Sequence, residues 1–445
     1  MYNCCVGSVV AECEYSIIAS GRYTCAHRQK TTGIPWSRVG ALIQQKTSTA
    51  PRLGRRGPNV LRSLSALALV GAITAAVHTV FALPADVTDS AVASAPATRL
   101  GPPRSLLVSA GGDILTENAV LAAGARGGAA TGARYDFSHV FSPLASVNAN
   151  VDLAICHMEL PIGRPGARVG AVGRSPFGGN LLIAPNEMAA GVRAGGFNRC
   201  STASNHSYDT GFSGIVSTLD ALDAAGVSHT GTARTPNEAV PRTVDVGGVS
   251  VGHVAYTRYA NTVRPAQRWR QSYAATSSQV IEDVRALRAQ EADIVIVSVH
   301  ISKEMLSMPI PRDRDFATAI TAGSDIDLVV HHGPHVVQPL EMVNGTPVYW
   351  STGNMLAGMG KPSSGRYADQ RTLDGLLAMV QFVERSNGNW DTYAGTIAIC
   401  TDPVTRIVRP ARSSLENPSS GLTQRERNEL TLCLQRTAAV VTPVG

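Results

Sequence analysis

"IDLVVHHGPHVVQ", Ile326 to Gln338, runs from an apolar segment into three histidines within five residues. The first part has the length and β-branched content of a buried strand. A buried strand that ends in clustered imidazoles reads as one edge of a metal site, so the remaining ligands are to be sought at other strand ends. "LLVSAGGD" ends in Asp113, "DLAICHME" in Glu159, "RCSTASNH" in Asn205-His206 and "DIVIVSVH" in His300. The opening stretch adds His332 and His335, which flank the tight turn Gly333-Pro334.

Sites in open α/β sheets form where the carboxyl ends of the strands lie side by side. Taken singly, each residue has a plainer reading. An Asp after Gly-Gly is a turn residue or helix cap, Glu159 before Pro161 is surface, His206 caps a helix, and His300 is a satisfied core histidine. Repeated at five strand ends, the pattern instead describes a mixed oxygen/nitrogen donor set for one or two divalent ions of the Mn, Fe or Zn type. Strand parity places Glu159 on the face of His157 and Ile155, with Cys156 opposite. Cys156 is accordingly expected in the core; His157 is expected beneath the sheet, the alternative being a place behind the ligands.

The same alternation of short apolar runs with helical patterns at 212–225, 277–290 and 312–322 predicts an α/β domain. Turns at Gly247-Gly248 and Asn344-Gly345 add hairpins, hence mixed sheets. Beyond residue 363, "GLLAMVQFVE" and "YAGTIAIC" read as further strands and 423–436 as a helix, completing the domain through 445. No internal repeat is present.

The chain has 44% hydrophobic and 16% charged residues and a formal charge of +6, but the charge is unevenly placed. Residues 1–62 hold nine Lys/Arg against Glu12 and Glu14, a balance of +7 that leaves −1 for the rest. A neutral core gives no support for a nucleic-acid partner. Residues 59–85 contain an arginine followed by an uncharged apolar run, Ser63 to Ala85, which reads as a signal peptide or signal anchor. The domain is therefore expected outside the cytoplasm, secreted or held at the membrane by that run. Residues 1–58 show no sustained periodicity and read as a disordered extension or one preceding the true start. Residues 86–104 read as a Pro/Ala/Ser linker. In an oxidising compartment Cys400 and Cys433 are positioned to pair; the alternative reading is four small buried hydrophobes at 156, 200, 400 and 433.

Residues 105–362 resemble the poly-γ-glutamate capsule biosynthesis (CapA) family of the calcineurin-like metallophosphoesterase superfamily. The resemblance rests on "GGDIL", "VDLAICHMELPI", "STASNHSYDTGFSGIVSTLDALDAAGVSHTGTA", "VSVHISKE", "VVHHGPHVVQPLE" and "VYWSTGN". It implies a four-layer α/β/β/α sandwich. It also implies Asp113, Glu159, Asn205, His300, His332 and His335 as metal ligands, with His206 at the reacting group and Asp209 orienting it. Glu304, Ser351 and Asn354 fall at positions expected near substrate. Departures are Leu115, where the wider superfamily has a histidine, and Ser204, where an asparagine is frequent. Ile301-Ser302 stand in place of an aromatic-Gly pair, and His331 where glycine is common. His331 is not expected to be a ligand.

Three functions fit these features. The first is an exported metal-dependent hydrolase of poly-γ-glutamate or of a phosphorylated precursor. The second is a non-catalytic scaffold holding an anionic polymer or membrane-bound synthase subunits. The third is a general secreted phosphodiesterase. The pair His206/Asp209 favours catalysis, since a scaffold has no use for an oriented proton donor.

Overall fold

A computed structural model describes residues 103–301, 303–360 and 365–441, with four three-residue strands near the N-terminus. Those four form two antiparallel pairs, Cys4–Val6 with Val9–Ala11 and Tyr15–Ile17 with Tyr23–Cys25. The apolar run at 63–85 lies outside the described residues. Among the described residues no helix is long and apolar enough to cross a membrane. The chain divides into Met1–Ala91 and Val92–Gly445, and the second unit holds all that follows.

Two large sheets and a two-stranded antiparallel pair, Gly170–Arg174 with Asn180–Ile183, make up the β-structure of this unit. In chain order the strands of the large sheets are β1 (Ser105–Ile114), β2 (Leu153–Met158), β3 (Arg199–Ser201), β4 (Ser228–Thr230), β5 (Thr243–Val246), β6 (Val249–Thr257) and β7 (Ile294–His300). They continue with β8 (Leu328–His332), β9 (Leu340–Val343), β10 (Thr346–Tyr349), β11 (Asn354–Leu356), β12 (Asp374–Glu384), β13 (Trp390–Thr401) and β14 (Val408–Pro410). The first sheet has the order β4-β3-β2-β1-β12-β13-β14, with β11 also paired to β1; the second has the order β5-β6-β7-β8-β10-β9. Strands β4 to β1 are mutually parallel, as are β6, β7, β8 and β10 and the pair β11 and β1, while the remaining neighbours are antiparallel.

Alternation of side chains sorts every central strand into two faces. Leu106 and Val108 of β1, Leu153 and Ile155 of β2, Ile294 and Ile296 of β7, and Leu328 and Val330 of β8 form one cluster between the sheets. The opposite face of the first sheet packs against α1 (Asn118–Thr131), the short helix Met188–Ala194 and α2 (Gly211–Ala224). That of the second sheet packs Val295, Val297, Val299 and Val329 against α3 (Ser277–Arg288) and α4 (Pro311–Gly323). The result is the expected α/β/β/α sandwich. At the edge away from the strand carboxyl ends, Arg104 joins the sheets, donating to Asp293 at 2.6 and 2.8 Å and to Glu384 at 2.8 Å.

Residues beyond 363 add β12 to β14 and α5 (Gln424–Ala438), which starts at a capping box of Thr423 and Glu426. A disulfide between Cys400 and Cys433 fastens α5 to β13. A second disulfide, Cys156–Cys200, was not anticipated: Cys156 is in the core, as parity requires, but bonded to the residue directly opposite it on β3. Reading along the chain offers no signal for that pairing, because the two cysteines meet only through the parallel register of β2 and β3.

Leu328 lies in the apolar layer between the sheets with no exposed surface. Leu328→Ala is expected to lower unfolding stability by about 2–5 kcal/mol, while Leu432→Ala, at 48% exposure, is expected to stay within about 0.5 kcal/mol of wild type. Chemical denaturation of both variants checks the layer assignment.

Candidate metal centre

The inter-sheet face that is apolar along most of each strand turns polar at the carboxyl ends. On β2 the face of Leu153 and Ile155 continues to His157 and then Glu159; on β7 that of Ile294 and Ile296 continues to Ser298 and His300. On β8 that of Leu328 and Val330 continues to His332. His300 and His332 are register partners on adjacent parallel strands.

Asp113 joins this face through an irregularity. Ala110 of β1 pairs with Ile155, yet Asp113 pairs with His157, so three residues on one strand match two on the other. A bulge of this kind reverses the alternation beyond it, and Gly111-Gly112 are where it falls. A Cβ on Gly112 would sit 1.9 Å from the carbonyl oxygen of Gly353, so the turn after β10 can close on β1 only over a glycine.

The Asp113 carboxylate accepts from the backbone N–H of Gly333, at 3.0 Å to Oδ2 and 3.3 Å to Oδ1. Its Oδ2 lies 3.1 Å from His335 Nδ1, and its Oδ1 lies 3.7 Å from His332 Nδ1 and 4.0 Å from His157 Nε2. Two sets of donors result, Asp113/His157/His300 and Asp113/Glu159/His335. Within each set the donor atoms lie within 4.8 Å of one another. Asp113 belongs to both, so a divalent ion held by either set would take it as a ligand.

The donor atoms fit such ions. Both carboxylate oxygens of Glu159, both ring nitrogens of His332 and Oδ1 of Asn205 are buried with no hydrogen-bond partner among the described residues. Buried polar groups are otherwise almost always satisfied. Two carboxylates and several imidazoles suit Mn, Fe or Zn. An orphaned nitrogen is not by itself a mark of a ligand, however. Both nitrogens of His331 are also unpartnered, but His331 faces the helical layer, where its ring meets the edge of Trp350 at 5.2 Å.

His157 is placed differently from its expected position beneath the sheet. It stands inside the cluster, stacked on His332 at 4.0 Å and with Nε2 3.1 Å from His300 Nδ1. Its Nδ1 lies 2.7 Å from Ser201 Oγ, which in turn donates to the carbonyl of Cys156 at 3.4 Å. The hydroxyl proton being used there, His157 donates from Nδ1 and keeps the Nε2 lone pair toward the cluster. The shared parity with Glu159 was the signal for His157; Ser201 had none.

His206 and Asp209 are brought together as expected. His206 Nδ1 lies 2.6 Å from Asp209 Oδ2, an oxygen also held by the Leu182 N–H at 2.8 Å. Asn261 Nδ2 donates to Asp209 Oδ1 at 3.0 Å, and the Asn261 N–H donates to the Asn205 carbonyl at 2.8 Å. Nothing in "RYANT" pointed to Asn261, which arrives from the loop after β6.

Ser351 and Asn354, expected near substrate, are both 1% exposed and engaged within the protein. Ser351 Oγ accepts from the Gly353 N–H at 3.1 Å. Asn354 donates to the Thr372 carbonyl at 2.9 Å, which turns its Oδ1 toward His335 Nδ1 at 2.9 Å. They support the ligands from behind. Glu304 is half-buried on the loop after β7, close enough for its charge to raise both Glu159 and His335.

Burial holds the imidazoles of His157, His300 and His332 below their usual range, His300 at about 3 and His332 at about 4. Burial opposes charge on His335 too, but the Glu159 and Asp113 carboxylates reverse this and hold it up at about 10. Burial likewise pushes Asp113 up, and the bond and charge of His335 more than offset it, leaving the carboxyl below its usual value. Glu159 is pushed well above its usual value by burial. His335 itself adopts a left-handed backbone, φ 60°, after Gly333 at φ 100°. A Cβ on Gly333 would sit 2.0 Å from the Ile301 carbonyl.

Residues 107–359, more than half of the chain, match the family described as bacterial capsule synthesis protein PGA_cap. The chain belongs to this family. The chain is similar to the PGA biosynthesis protein CapA of Bacillus subtilis (strain 168), 28% identical over 195 residues that make up 43% of this chain and 48% of that protein. It is also similar to the capsule biosynthesis protein CapA of Bacillus anthracis, 28% identical over 214 residues, 46% of this chain and 49% of that one. The chain thus spans about half the length of the curated relatives it matches. Among solved structures, the calcineurin-like phosphoesterase YfkN of Bacillus subtilis aligns at 13% identity and a TM-score of 0.38, covering 76% of this chain and 98% of that one. The 5'-nucleotidase precursor of Thermus thermophilus aligns at 10% identity and 0.38, covering 76% and 59%. The layering described above rests on the sheets themselves.

Two outcomes are expected for this PGA_cap site. Elemental analysis of Mn-loaded protein should show metal content falling sharply in His157→Gln and His335→Ala and nearly unchanged in His331→Gly. Binding should also release protons. His335 is protonated at neutral pH, below its value of about 10, and must lose that proton to act as a ligand. Affinity therefore rises with pH by up to about tenfold per unit for each proton released. Calorimetry in two buffers of different ionisation heat at about pH 7 measures the release, and a binding heat independent of buffer would rule it out.

Proposed function

We propose that the chain is an exported, metal-dependent hydrolase acting on an anionic surface polymer such as poly-γ-glutamate, or on a phosphorylated precursor of it. The observation that carries this reading is the pair of donor sets sharing Asp113, with His206 fixed by Asp209 beside them. Membership of the PGA_cap family supports the polymer class. Two disulfides among the described residues support an oxidising compartment, and hence either secretion or attachment through residues 63–85. Contact with membrane-bound synthase subunits is part of the same proposal.

Divalent ions held by Asp113, His157, Glu159, Asn205, His300, His332 and His335 would supply Lewis acidity toward phosphate or amide oxygens and a nucleophile from water at neutral pH. The protein's own groups do the rest. Asp209 accepts from His206 Nδ1, which leaves Nε2 as the atom that carries a proton to the leaving group. The Leu182 N–H and Asn261 Nδ2 hold the Asp209 carboxylate, so the imidazole cannot swing away when it gives up that proton. His206 has 13% of its side chain exposed, enough to meet substrate while the ligands stay covered.

The test is hydrolysis of a phosphodiester and of poly-γ-glutamate by the full chain with Mn²⁺. His206→Ala should spare bound metal and lower kcat by about 10²–10⁴-fold. Metal bound at full stoichiometry with no turnover of either substrate would defeat the hydrolase reading in favour of a scaffold.

A further inference from the structure

A buried arginine without a counter-charge lies on the same inter-sheet face, below the metal cluster. Arg199 opens β3 and is 5% exposed. Its guanidinium donates from Nε to His253 Nδ1 at 2.9 Å, from Nη1 to Ser228 Oγ at 3.3 Å and from Nη2 to the His253 carbonyl at 3.5 Å. All three acceptors are neutral, and a guanidinium has five N–H groups to place. Among the described residues no carboxylate pairs with it. Burial alone acts on Arg199, drawing it down to about 10, so it remains charged at neutral pH. Arg406, buried as deeply, differs in lying within the field of Glu117 and Asp402. An unpaired buried charge is costly unless something compensates it.

Arg199 does not face a packed wall. With His229, Thr230, Arg242 and His253 it lines a cavity of about 190 Å³. That cavity adjoins a surface groove of about 970 Å³, the two sharing Tyr256, Trp269 and Ser272. The groove carries Arg264, stacked on Tyr273 at 4.1 Å, and Arg268; neither has a carboxylate partner among the described residues. Three acids also line these spaces. Glu238 is occupied by Arg234, which donates to it from Nε at 3.0 Å and also from Nη2. Asp283 accepts the Tyr256 hydroxyl and is pushed up by burial. Glu282 stands at the rim of the groove.

We propose that the cavity is an oxyanion site that takes one carboxylate or phosphate group against Arg199, with the groove receiving whatever chain bears that group. Its position links it to the metal cluster by one step along each strand. Arg199 precedes Ser201, the partner of His157, by two residues. His253 Nε2 lies 3.0 Å from Ser298 Oγ, and Ser298 precedes His300 by two residues. From the groove, Gln271 donates to the Ser204 carbonyl at 3.0 Å, next to Asn205.

The experiment titrates the full chain in EDTA and low salt with inorganic phosphate and, separately, with a short γ-linked glutamate oligomer, followed by thermal shift and calorimetry. EDTA removes the metal centre as a source of anion binding, and no turnover is read, so the result is independent of the hydrolase proposal. Saturable binding that weakens about 30-fold or more in Arg199→Gln, and about two- to fivefold in the surface variant Arg242→Gln, supports the site. Tighter binding of the oligomer assigns the polymer's carboxylates, and tighter binding of phosphate a free or ester phosphate. Absence of saturable binding to both probes overturns the proposal, as does unchanged affinity in Arg199→Gln. Should that variant fail to fold, unchanged affinity in Arg242→Gln overturns it.

Discussion

Two twisted sheets packed face to face leave a narrow space between them, and that space admits side chains from alternate positions only. This constraint governs the molecule. Along most of each strand the alternate positions are Leu, Ile and Val, and the two sheets exclude water from the core between them. The same alternation continues to the carboxyl ends, where the inward positions become His157, Glu159, His300 and His332. The hydrophobic layer and the candidate metal centre are thus consecutive rungs of one ladder. Rigidity of the first fixes the geometry of the second, without long loops to hold the donors.

Gathering two carboxylates and four imidazoles in so dry a place is unfavourable unless charge is balanced. The protein balances it by setting the protonated His335 ring against the Asp113 and Glu159 carboxyl groups, while burial keeps the other imidazoles neutral. Neutral imidazoles and a displaceable proton are the state a ligand set needs before a cation arrives. The supports act in the same direction. Ser201 sets the tautomer of His157, Asn354 orients His335, and the Gly333 N–H holds Asp113, so each donor is aimed by a neighbour that is itself fixed.

Much of this was legible in the strands. The five apolar runs and their polar ends are contiguous in sequence, so an α/β domain with mixed sheets and the positions of Asp113, Glu159, His300, His332 and His335 follow from reading along the chain, while the four layers came from the family resemblance. What escaped has physical causes. The bulge at Gly111-Gly112 is a matter of pairing between strands, and it decides which way Asp113 points. His157 shared the face of Glu159, yet a single histidine within a strand reads first as a core residue rather than a donor. Asn261 and Ser201 come near the site only through tertiary contact. Helix α1, rich in Ala and Gly, carries no apolar stripe strong enough to announce itself. Most of the N-terminal segment and of the linker falls outside the described residues.

Cys156 and Cys200 face the helical layer while their neighbours His157 and Ser201 face the crevice. Sliding β3 by one residue against β2 would exchange those faces, presenting a thiol where a hydroxyl now sits. Thiolates compete strongly for borderline and soft ions, so such a slip would change which metal the crevice prefers. The covalent bond between the two cysteines forbids the slip and removes the thiols together. Were a divalent ion bound in the crevice, the choice of metal would thus be guarded from the reverse side of the strand, by a pair of sulfurs that face away from the donors.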